Sequence, residues 1–230
     1  MANWFSLVAA LAYGYLVGAI PTAYLVARWA KRIDIRRYGS GNVGASNVAR
    51  QLGKKQFVFV AAFDVLAKGT LTVVVARALG QALEYQALAA LVAVVGHNWS
   101  PFLRLSGGRG LSVAMGSLLV LAWKELLALL VVALIGWLLF RSTALWFGVS
   151  LLLLPLWALA FKEPAPIVVL CVSLVLVSFL KRALANPGTL PAGLRWRDVV
   201  IPRLLHDRDT YAEGDWVTRK PEKGAAEGDR

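Results

Sequence analysis

Residues 4–27 read WFSLVAALAYGYLVGAIPTAYLVA and contain no charged side chain. A helix needs about 20 predominantly apolar residues to cross a bilayer, so this stretch predicts a membrane span. The first basic cluster, Arg28, Lys31 and Arg32, follows the apolar run, whereas a secretory signal peptide carries its positive residues before a shorter apolar core. We therefore expect a retained helix with its N-terminus outside the cell and its C-terminal end inside.

The rest of the chain repeats this pattern. Hydrophobic residues make up 58% of the 230 residues. Charged residues make up 17%, whereas a soluble domain has about 25%. The sequence predicts an all-α, polytopic integral membrane protein with about seven transmembrane helices, some of them short and buried or re-entrant. The six further apolar stretches are Gln56–Arg77, Tyr85–Leu103, Gly110–Trp123, Leu126–Phe140, Ser142–Phe161 and Pro164–Leu180.

The net charge is +12, and the basic residues that produce it are distributed as this topology predicts. With seven spans, 21 of the 25 Lys and Arg residues lie on the inner side, and only Arg77, Lys124 and Lys162 lie outside. This bias is the positive-inside rule, and it supports a cytoplasmic C-terminus in the cell (plasma) membrane. Topology and contact with anionic membrane lipids explain the basic residues, so no nucleic-acid partner is expected.

The rarest residue types limit the chemistry. The single cysteine, Cys171, lies inside an apolar stretch, so the chain can form neither an internal disulfide nor a cysteine-based metal site. The two histidines, His97 and His206, offer little for a histidine-based metal site. We expect no metal and no cofactor.

The composition changes in the last fifth of the chain. Residues 1–186 are predicted to form the membrane domain, with two glycine-rich cytoplasmic loops at residues 28–55 and 97–110. Residues 187–230 are predicted to form a charged cytoplasmic tail. Within it, Trp196–Leu205 has the composition of a short interfacial helix, and the final residues have that of a disordered segment.

Glycines and short polar side chains crowd the first loop. Three glycines in six positions free backbone N–H groups to converge on one point, as an anion-binding nest requires. Arg50 adds a planar cationic group suited to phosphate. The alternative is an ordinary polar loop between two helices. The predicted anion site comprises Gly39, Ser40, Gly41, Asn42, Gly44, Ser46, Asn47 and Arg50.

A second glycine-rich stretch precedes the fourth apolar stretch. Gly107, Gly108 and Gly110 at a helix N-terminus leave backbone donors open, and the helix dipole favours an anion there. Arg109 would supply a cationic contact. Alone, this stretch could be a simple turn, but both loops are predicted on one membrane face, which favours one phosphate site or two adjacent ones. His97, just upstream, is either a catalytic base or a brace for the loop.

Two opposite charges interrupt the second apolar stretch. Asp64 and Lys68 are four residues apart, so they share one face of a helix. Charge within a membrane span is costly enough to indicate a functional site. The equally weighted alternative is a self-neutralising pair that fixes helix packing.

These stretches resemble the motifs of the bacterial acyl-phosphate:glycerol-3-phosphate acyltransferases, the PlsY family. The family's first motif has the form GSGNxGATNxxR, and residues 39–50 read GSGNVGASNVAR, with Ser46 in place of threonine. The second motif corresponds to residues 96–110, GHNWSPFLRLSGGRG, with Arg109 where the family has lysine. The resemblance runs from about residue 18 to residue 123.

The resemblance implies a membrane enzyme of phospholipid synthesis. Such an enzyme moves a fatty acyl group from acyl phosphate to the sn-1 hydroxyl of glycerol 3-phosphate, giving lysophosphatidic acid. It implies catalytic roles for Ser40, Arg50 and Arg109. Substrate binding then falls to Gly39, Gly41, Asn42, Gly44, Ser46, Asn47, Asp64, Lys68, His97, Gly107, Gly108, Gly110 and Asn186.

The chain departs from the family pattern at the end of the last apolar stretch. The family's third motif, R-H-x-x-N, aligns with Arg182–Asn186, where Ala183 replaces the histidine. Pro187 is expected to end the helix there, and His206 could fold back from the tail to replace the missing histidine. Two alternatives follow: a homologue that acylates another acceptor, and a non-catalytic protein that binds acyl phosphate or phospholipid headgroups. Transport of a phosphorylated solute is disfavoured because buried charge is sparse.

Overall fold

A computed structural model describes residues 4–186 and 195–207, and this part of the chain is helical with no strand. Our expectation of disorder in the final residues lies outside the described ranges. The helices, in chain order, are α1 Trp4–Ala19, α2 Thr22–Lys31, α3 Ala45–Leu52, α4 Lys54–Phe63, α5 Leu71–Ala78, α6 Leu83–Asn98, α7 Leu111–Leu121, α8 Trp123–Phe140, α9 Thr143–Ala160, α10 Ala165–Leu184 and α11 Trp196–His206.

Five helical stretches of the described chain are long and apolar enough to cross a membrane. Two others are shorter: α6 has 16 residues and α7 has 11. The prediction of an all-α, multi-pass membrane protein is confirmed. The five long stretches are Trp4–Lys31, Lys54–Ala78, Trp123–Phe140, Thr143–Ala160 and Ala165–Leu184.

Proline residues account for two boundaries that differ from our predictions. The first stretch contains two helices, α1 and α2, because Pro21 between them has no N–H to continue the helical hydrogen bonds. The third predicted stretch, Tyr85–Leu103, is helical only to Asn98. A separate short 3₁₀ turn, Pro101–Leu103, follows it.

A π-helical segment, Asp64–Thr70, joins α4 to α5. Segments of this kind are rare and occur frequently at functional sites. Gly69 in this segment packs directly on α7, where an added Cβ would collide with the backbone of Val113 and Gly116. Small residues allow such close approach between membrane helices. The approach fixes the segment against α7 and keeps Asp64 and Lys68 inside the protein.

The centre of the molecule is α6, which packs against α1, α5, α7 and α10. Fully buried apolar side chains form one continuous core that includes α6, among them Val94, Leu118, Leu154 and Leu174. Many leucines on the outer faces of α8, α9 and α10 are exposed. Exposed apolar side chains of this kind are expected on helix faces that contact lipid.

The described part of the tail packs against the last long helix. As expected, α10 ends before Pro187, at Leu184, and Ala185 follows with φ of 53°. A helix is present where Trp196–Leu205 predicted one: α11 packs against α9 and α10. It brings the end of the described tail to the same end of the molecule as the two glycine-rich loops.

Candidate active site

The first glycine-rich loop is folded around a buried amide. The Nδ2 of Asn47, in the first turn of α3, donates to the carbonyl oxygens of Tyr38 and Asn42 at 3.0 and 3.1 Å. Gly39 and Gly41 have φ of 54° and 67°, a region that side chains other than glycine rarely adopt. The glycines permit the bend and Asn47 holds it.

A short acidic turn fixes the entrance to this loop. Asp34 accepts hydrogen bonds from the backbone N–H and Nε of Arg36 at 3.0 and 2.9 Å. Partial burial would raise the pKa of Asp34, but the hydrogen bonds and positive charge of Arg36 outweigh it and lower that pKa. The pair therefore stabilises the turn as a charged unit.

The two glycine-rich loops are in direct contact. The backbone N–H of Val43 donates to the carbonyl oxygen of Gly107 at 3.2 Å, and that of Gly108 to the carbonyl oxygen of His97 at 3.1 Å. A Cβ on Gly108 would collide with the imidazole ring of His97. The glycine at this position is therefore explained by its packing on His97.

Asn186 ties both loops to the end of α10. Its Nδ2 donates to the carbonyl oxygens of Gly41 and Gly107, each at 3.0 Å. Its Oδ1 accepts from the N–H of Gly107 at 3.0 Å and from Nζ of Lys181 at 2.9 Å. Both amide protons and the carbonyl oxygen are thus engaged within the protein.

The charged residues of the π-helical segment meet His97 in the interior. Nζ of Lys68 lies 2.6 Å from Oδ1 of Asp64, and both side chains are at most 2% exposed. Nδ1 of His97 lies 3.4 Å from Nζ of Lys68 and 4.0 Å from Oδ2 of Asp64. Burying either charge alone would be very costly, so the pair is stable because it is mutually neutralising.

A small cleft opens beside these charges, between α1, α2 and the second loop. Its lining includes Thr22, Lys68, His97, Ser100 and Gly107. Lys68 therefore pairs with Asp64 and also lines the cleft. Polar groups that converge on a concave site are typical of a ligand-binding region.

The N-terminus of α7 lies at the second loop. Gly110 precedes it with φ of 70° and no side chain caps the helix there. Beside Gly110, the amide of Asn98 is fully buried, and neither its Nδ2 nor its Oδ1 has a hydrogen-bond partner among the described residues. Uncapped helix N–H groups next to an unsatisfied buried amide favour a polar ligand, and the helix dipole favours an anion.

Three cations gather where this loop meets α10. Nζ of Lys181 lies 5.2 Å from the ring centre of Trp99 and is 1% exposed. Arg182 donates from Nη2 to the carbonyl oxygen of Ala144 at 3.2 Å. Arg109 pairs with the carboxylate of Asp207, at the end of α11. We call Arg109, Lys181 and Arg182 the cation cluster.

The structure separates the predicted site residues into two groups. It brings Gly41, Gly107 and Asn186 into contact, and likewise Asp64, Lys68 and His97. Ser40 is half-buried, and its Oγ accepts from the N–H of Asn42 at 3.2 Å. Ser46 and Arg50, in contrast, lie exposed on α3.

Arg203, on the tail helix α11, contacts the region of the third motif. Nη1 of Arg203 donates to the carbonyl oxygens of Ala183 and Leu184 at 3.2 and 3.3 Å. His206 lies one turn further along α11. The backbone carbonyl oxygen of Ala183 thus accepts from Arg203 and from Nε1 of Trp196, both on α11.

Sequence reasoning overlooked three residues of the site. The positive-inside rule explains Lys181 as one of the inner-side charges, so its position near a helix end and five residues before Asn186 is the signal that could have identified it. Asn98 lay within the second motif but was not selected. Asp207 gave no signal, because its partner is Arg109, which is distant along the chain.

Fold and site together define a class: a polytopic helical membrane protein whose two glycine-rich loops meet beside a small cleft and a cluster of cations at one end of the helices. The family model described as glycerol-3-phosphate acyltransferase matches residues 8–186. The chain belongs to this family.

Individual relatives agree with this assignment. Glycerol-3-phosphate acyltransferase 4 of Dehalococcoides mccartyi (strain CBDB1) is 38% identical over 213 residues, which is 90% of each chain. Glycerol-3-phosphate acyltransferase 1 of Deinococcus radiodurans is 52% identical over 112 residues, covering 49% of this chain and 56% of that protein.

Two crystal structures share the fold. They are the glycerol 3-phosphate form and the lysophosphatidic acid form of PlsY (YgiH), an integral membrane glycerol 3-phosphate acyltransferase. The TM-scores are 0.68 and 0.70, with 26% sequence identity, over 77% of this chain and 88% of the other.

Proposed function

We propose that this protein transfers a fatty acyl group from an acyl phosphate to the sn-1 hydroxyl of glycerol 3-phosphate, giving lysophosphatidic acid. Family membership supports acylation of glycerol 3-phosphate. The observation that carries the proposal is the joining of both glycine-rich loops by Asn186 beside a cleft that contains buried Lys68 and His97. A phosphorylated substrate needs such backbone donors and cations, and the acyl tail needs the adjacent apolar helices.

The chemistry requires little proton transfer from the protein. The acceptor hydroxyl oxygen attacks the acyl carbonyl carbon, the bond from that carbon to the phosphate oxygen breaks, and inorganic phosphate leaves. The hydroxyl proton passes to the acceptor's own phosphate. The site then has to place the hydroxyl and stabilise developing negative charge. We assign Ser40, Arg50 and Arg109 to this task, with the loop amides as further donors.

We further propose that the active site faces the cytoplasm of a plasma-membrane enzyme. The loops of the site lie between residues 28 and 110, and this region holds much of the basic charge that the positive-inside rule places on the cytoplasmic face. Soluble glycerol 3-phosphate would reach the cleft from that side.

The test is acyl transfer by the purified protein in lipid vesicles. Palmitoyl phosphate and radiolabelled glycerol 3-phosphate are supplied, with palmitoyl-CoA as the control donor. We expect labelled lysophosphatidic acid from palmitoyl phosphate and none from palmitoyl-CoA. Equal product from both donors would refute the acyl-phosphate assignment, and absence of product would refute the acceptor.

A second candidate is acylation of a different phosphorylated acceptor. Ala183 stands where the family has histidine, and α11 covers this end of α10. With glycerol 3-phosphate as the acceptor supplied, this candidate predicts that palmitoyl phosphate is cleaved only by water, giving palmitate and inorganic phosphate, while glycerol 3-phosphate stays unmodified. Release of inorganic phosphate, measured beside lysophosphatidic acid formation, distinguishes the two candidates.

A further inference from the structure

We propose that Asp207 competes with the phosphate of glycerol 3-phosphate for Arg109 and Arg182, so that the tail helix α11 sets the affinity of the site for its acceptor. The inference rests on the proposed function in one respect, the assignment of Arg109 to phosphate.

The contacts of Asp207 are those of an anion bound by two arginines. Its carboxylate forms an ion pair with Arg109, whose Nη1 also donates to the backbone carbonyl oxygen of Asp207 at 3.0 Å. Nε of Arg182 lies 3.8 Å from the same carboxylate. The side chains of Arg109, Arg182 and Asp207 are 14%, 9% and 24% exposed. Partial burial makes each of these interactions stronger than it would be on an open surface.

Backbone groups at the end of α10 hold α11 in position. The last carbonyl groups of a helix lack partners within the helix, and Arg203 donates to two of them, at Ala183 and Leu184. Nε1 of Trp196 donates to the Ala183 carbonyl oxygen at 3.2 Å. Arg182 in turn donates to the carbonyl oxygen of Leu204 at 3.0 Å. The position of Asp207 at the cation cluster is therefore determined by specific contacts along α11.

Asp207 and a phosphate group would oppose each other at these arginines. A phosphate bound to Arg109 in this arrangement would lie close to the carboxylate, and like charges at such a distance repel strongly in a partly buried site. One anion must therefore leave before the other binds. The family match ends at residue 186, so the competing carboxylate lies outside the matched part of the chain.

The size of the effect follows from the fraction of time the arginines are available. The apparent dissociation constant of a ligand rises in inverse proportion to the competent fraction, so a carboxylate that occupies the arginines about nine-tenths of the time weakens phosphate binding about tenfold. Removing the carboxylate should restore this factor.

The test compares two matched substitutions on α11. Asp207→Asn removes the competing charge while keeping a residue that tolerates the left-handed backbone at φ 61°. Asp198→Asn removes an identical charge from the other end of the helix, where Asp198 Oδ2 accepts from the N–H of Arg195 at 2.9 Å. In lipid vesicles, we expect Asp207→Asn to lower the KM for glycerol 3-phosphate about tenfold with kcat within about twofold. Asp198→Asn should leave both unchanged.

A second pair of variants tests the attachment of α11. Arg203→Met should loosen α11 and lower KM in the same direction, whereas Arg197→Met, at an exposed position of the same helix, should not. A rise in KM or a fall in kcat in the Asp207 or Arg203 variant would mean that α11 builds the site, and would overturn the inference. An unchanged KM in Asp207→Asn would overturn it as well.

Binding without turnover separates this inference from the proposed reaction. Calorimetry with glycerol 3-phosphate, and with inorganic phosphate as a second probe, should show tighter binding to Asp207→Asn than to the unmodified protein. Tighter binding without acyl transfer would reject the proposed reaction while supporting the competition. Equal affinity, or no binding to either protein, would reject the competition even if acyl transfer proceeds.

Discussion

The buried pair Asp64–Lys68 and the cation cluster balance their charges in opposite ways. The lysine of the pair has its counter-charge four residues away on the same helical stretch, and both groups are almost completely buried. The counter-charge of the arginines in the cluster is the carboxylate of Asp207, at the end of α11. This helix lies outside the residues that the family model matches. A charge with a local, buried partner is part of the framework. Under the competition proposed above, the arginines exchange their partner on a separate helix for a ligand.

The largest effect should come from breaking the local pair. Lys68→Met leaves the Asp64 carboxylate buried without compensation, which should lower the free energy of unfolding by about 3–5 kcal/mol. Thermal unfolding in detergent measures the loss. The double variant Asp64→Asn with Lys68→Met should recover most of it. If Lys68→Met alone is as stable as the unmodified protein, Lys68 is not held by Asp64 and the comparison fails.

Substitutions in the cation cluster should lower the rate of acyl transfer and leave the stability of the protein nearly unchanged. Arg109→Gln removes a group assigned to phosphate, so kcat/KM should fall about 100-fold or more with little change in unfolding temperature. Arg50→Gln tests the exposed arginine of the first loop in the same way. Arg104→Gln, at an exposed position within the second loop, is the control and should retain activity. Near-normal rates for both Arg109→Gln and Arg50→Gln would exclude the site.

Asn186 should show an intermediate effect, because it joins the two glycine-rich loops to Lys181 of the cation cluster. Asn186→Ala removes the donor to the carbonyl oxygen of Gly41 and the acceptor for the N–H of Gly107, and it leaves the carbonyl oxygen of Gly107 with Val43 alone. These losses should cost about 2 kcal/mol of stability. Backbone amides of the two loops, that of Gly107 above all, should exchange hydrogen faster. Unchanged exchange at Gly107 would show that Val43 alone holds the loops together.

The smallest effect concerns a local pair outside the membrane. The lowered pKa of Asp34 means that its stabilising contribution is present above the ordinary value of 3.8 and is lost as the pH falls through the lower folded-state value. The free energy of unfolding should therefore fall at acidic pH, and the unfolding temperature should fall with it. Asp34→Asn should reduce this loss of free energy by no more than about 1 kcal/mol, because the pair is partly exposed. An unaltered acid profile in the variant would show that Arg36 does not stabilise the folded carboxylate.

Much of the fold could be predicted because bilayer length and apolar composition are properties of contiguous residues. All seven predicted apolar stretches are largely helical, and the boundary errors arise where local backbone chemistry intervenes, as at Pro21 and Pro101. The π-helical segment was not predicted, because its apolar pattern is indistinguishable from that of an α-helix over seven residues.

The site was less predictable because its contacts join distant residues. Motif spacing identified Gly107, Asp64 and His97, which the structure brings close to Asn186 or Lys68. The same spacing could not show that Arg50 would be exposed on α3. Nor could it identify Asp207, which is 98 residues from Arg109 along the chain.

The π-helical segment also affects how one long helix faces two environments. Its wider turn rotates the side chains of α5 relative to those of α4, while the helical stretch from α4 to α5 stays continuous. Each half can therefore present its own side to lipid, while the segment between them directs Asp64 and Lys68 inward. In a uniform α-helix, one periodicity would fix the directions in which the side chains of all three parts point. The π-helical segment removes this restriction, so the charged side chains can face the protein interior independently of the lipid-facing sides of α4 and α5.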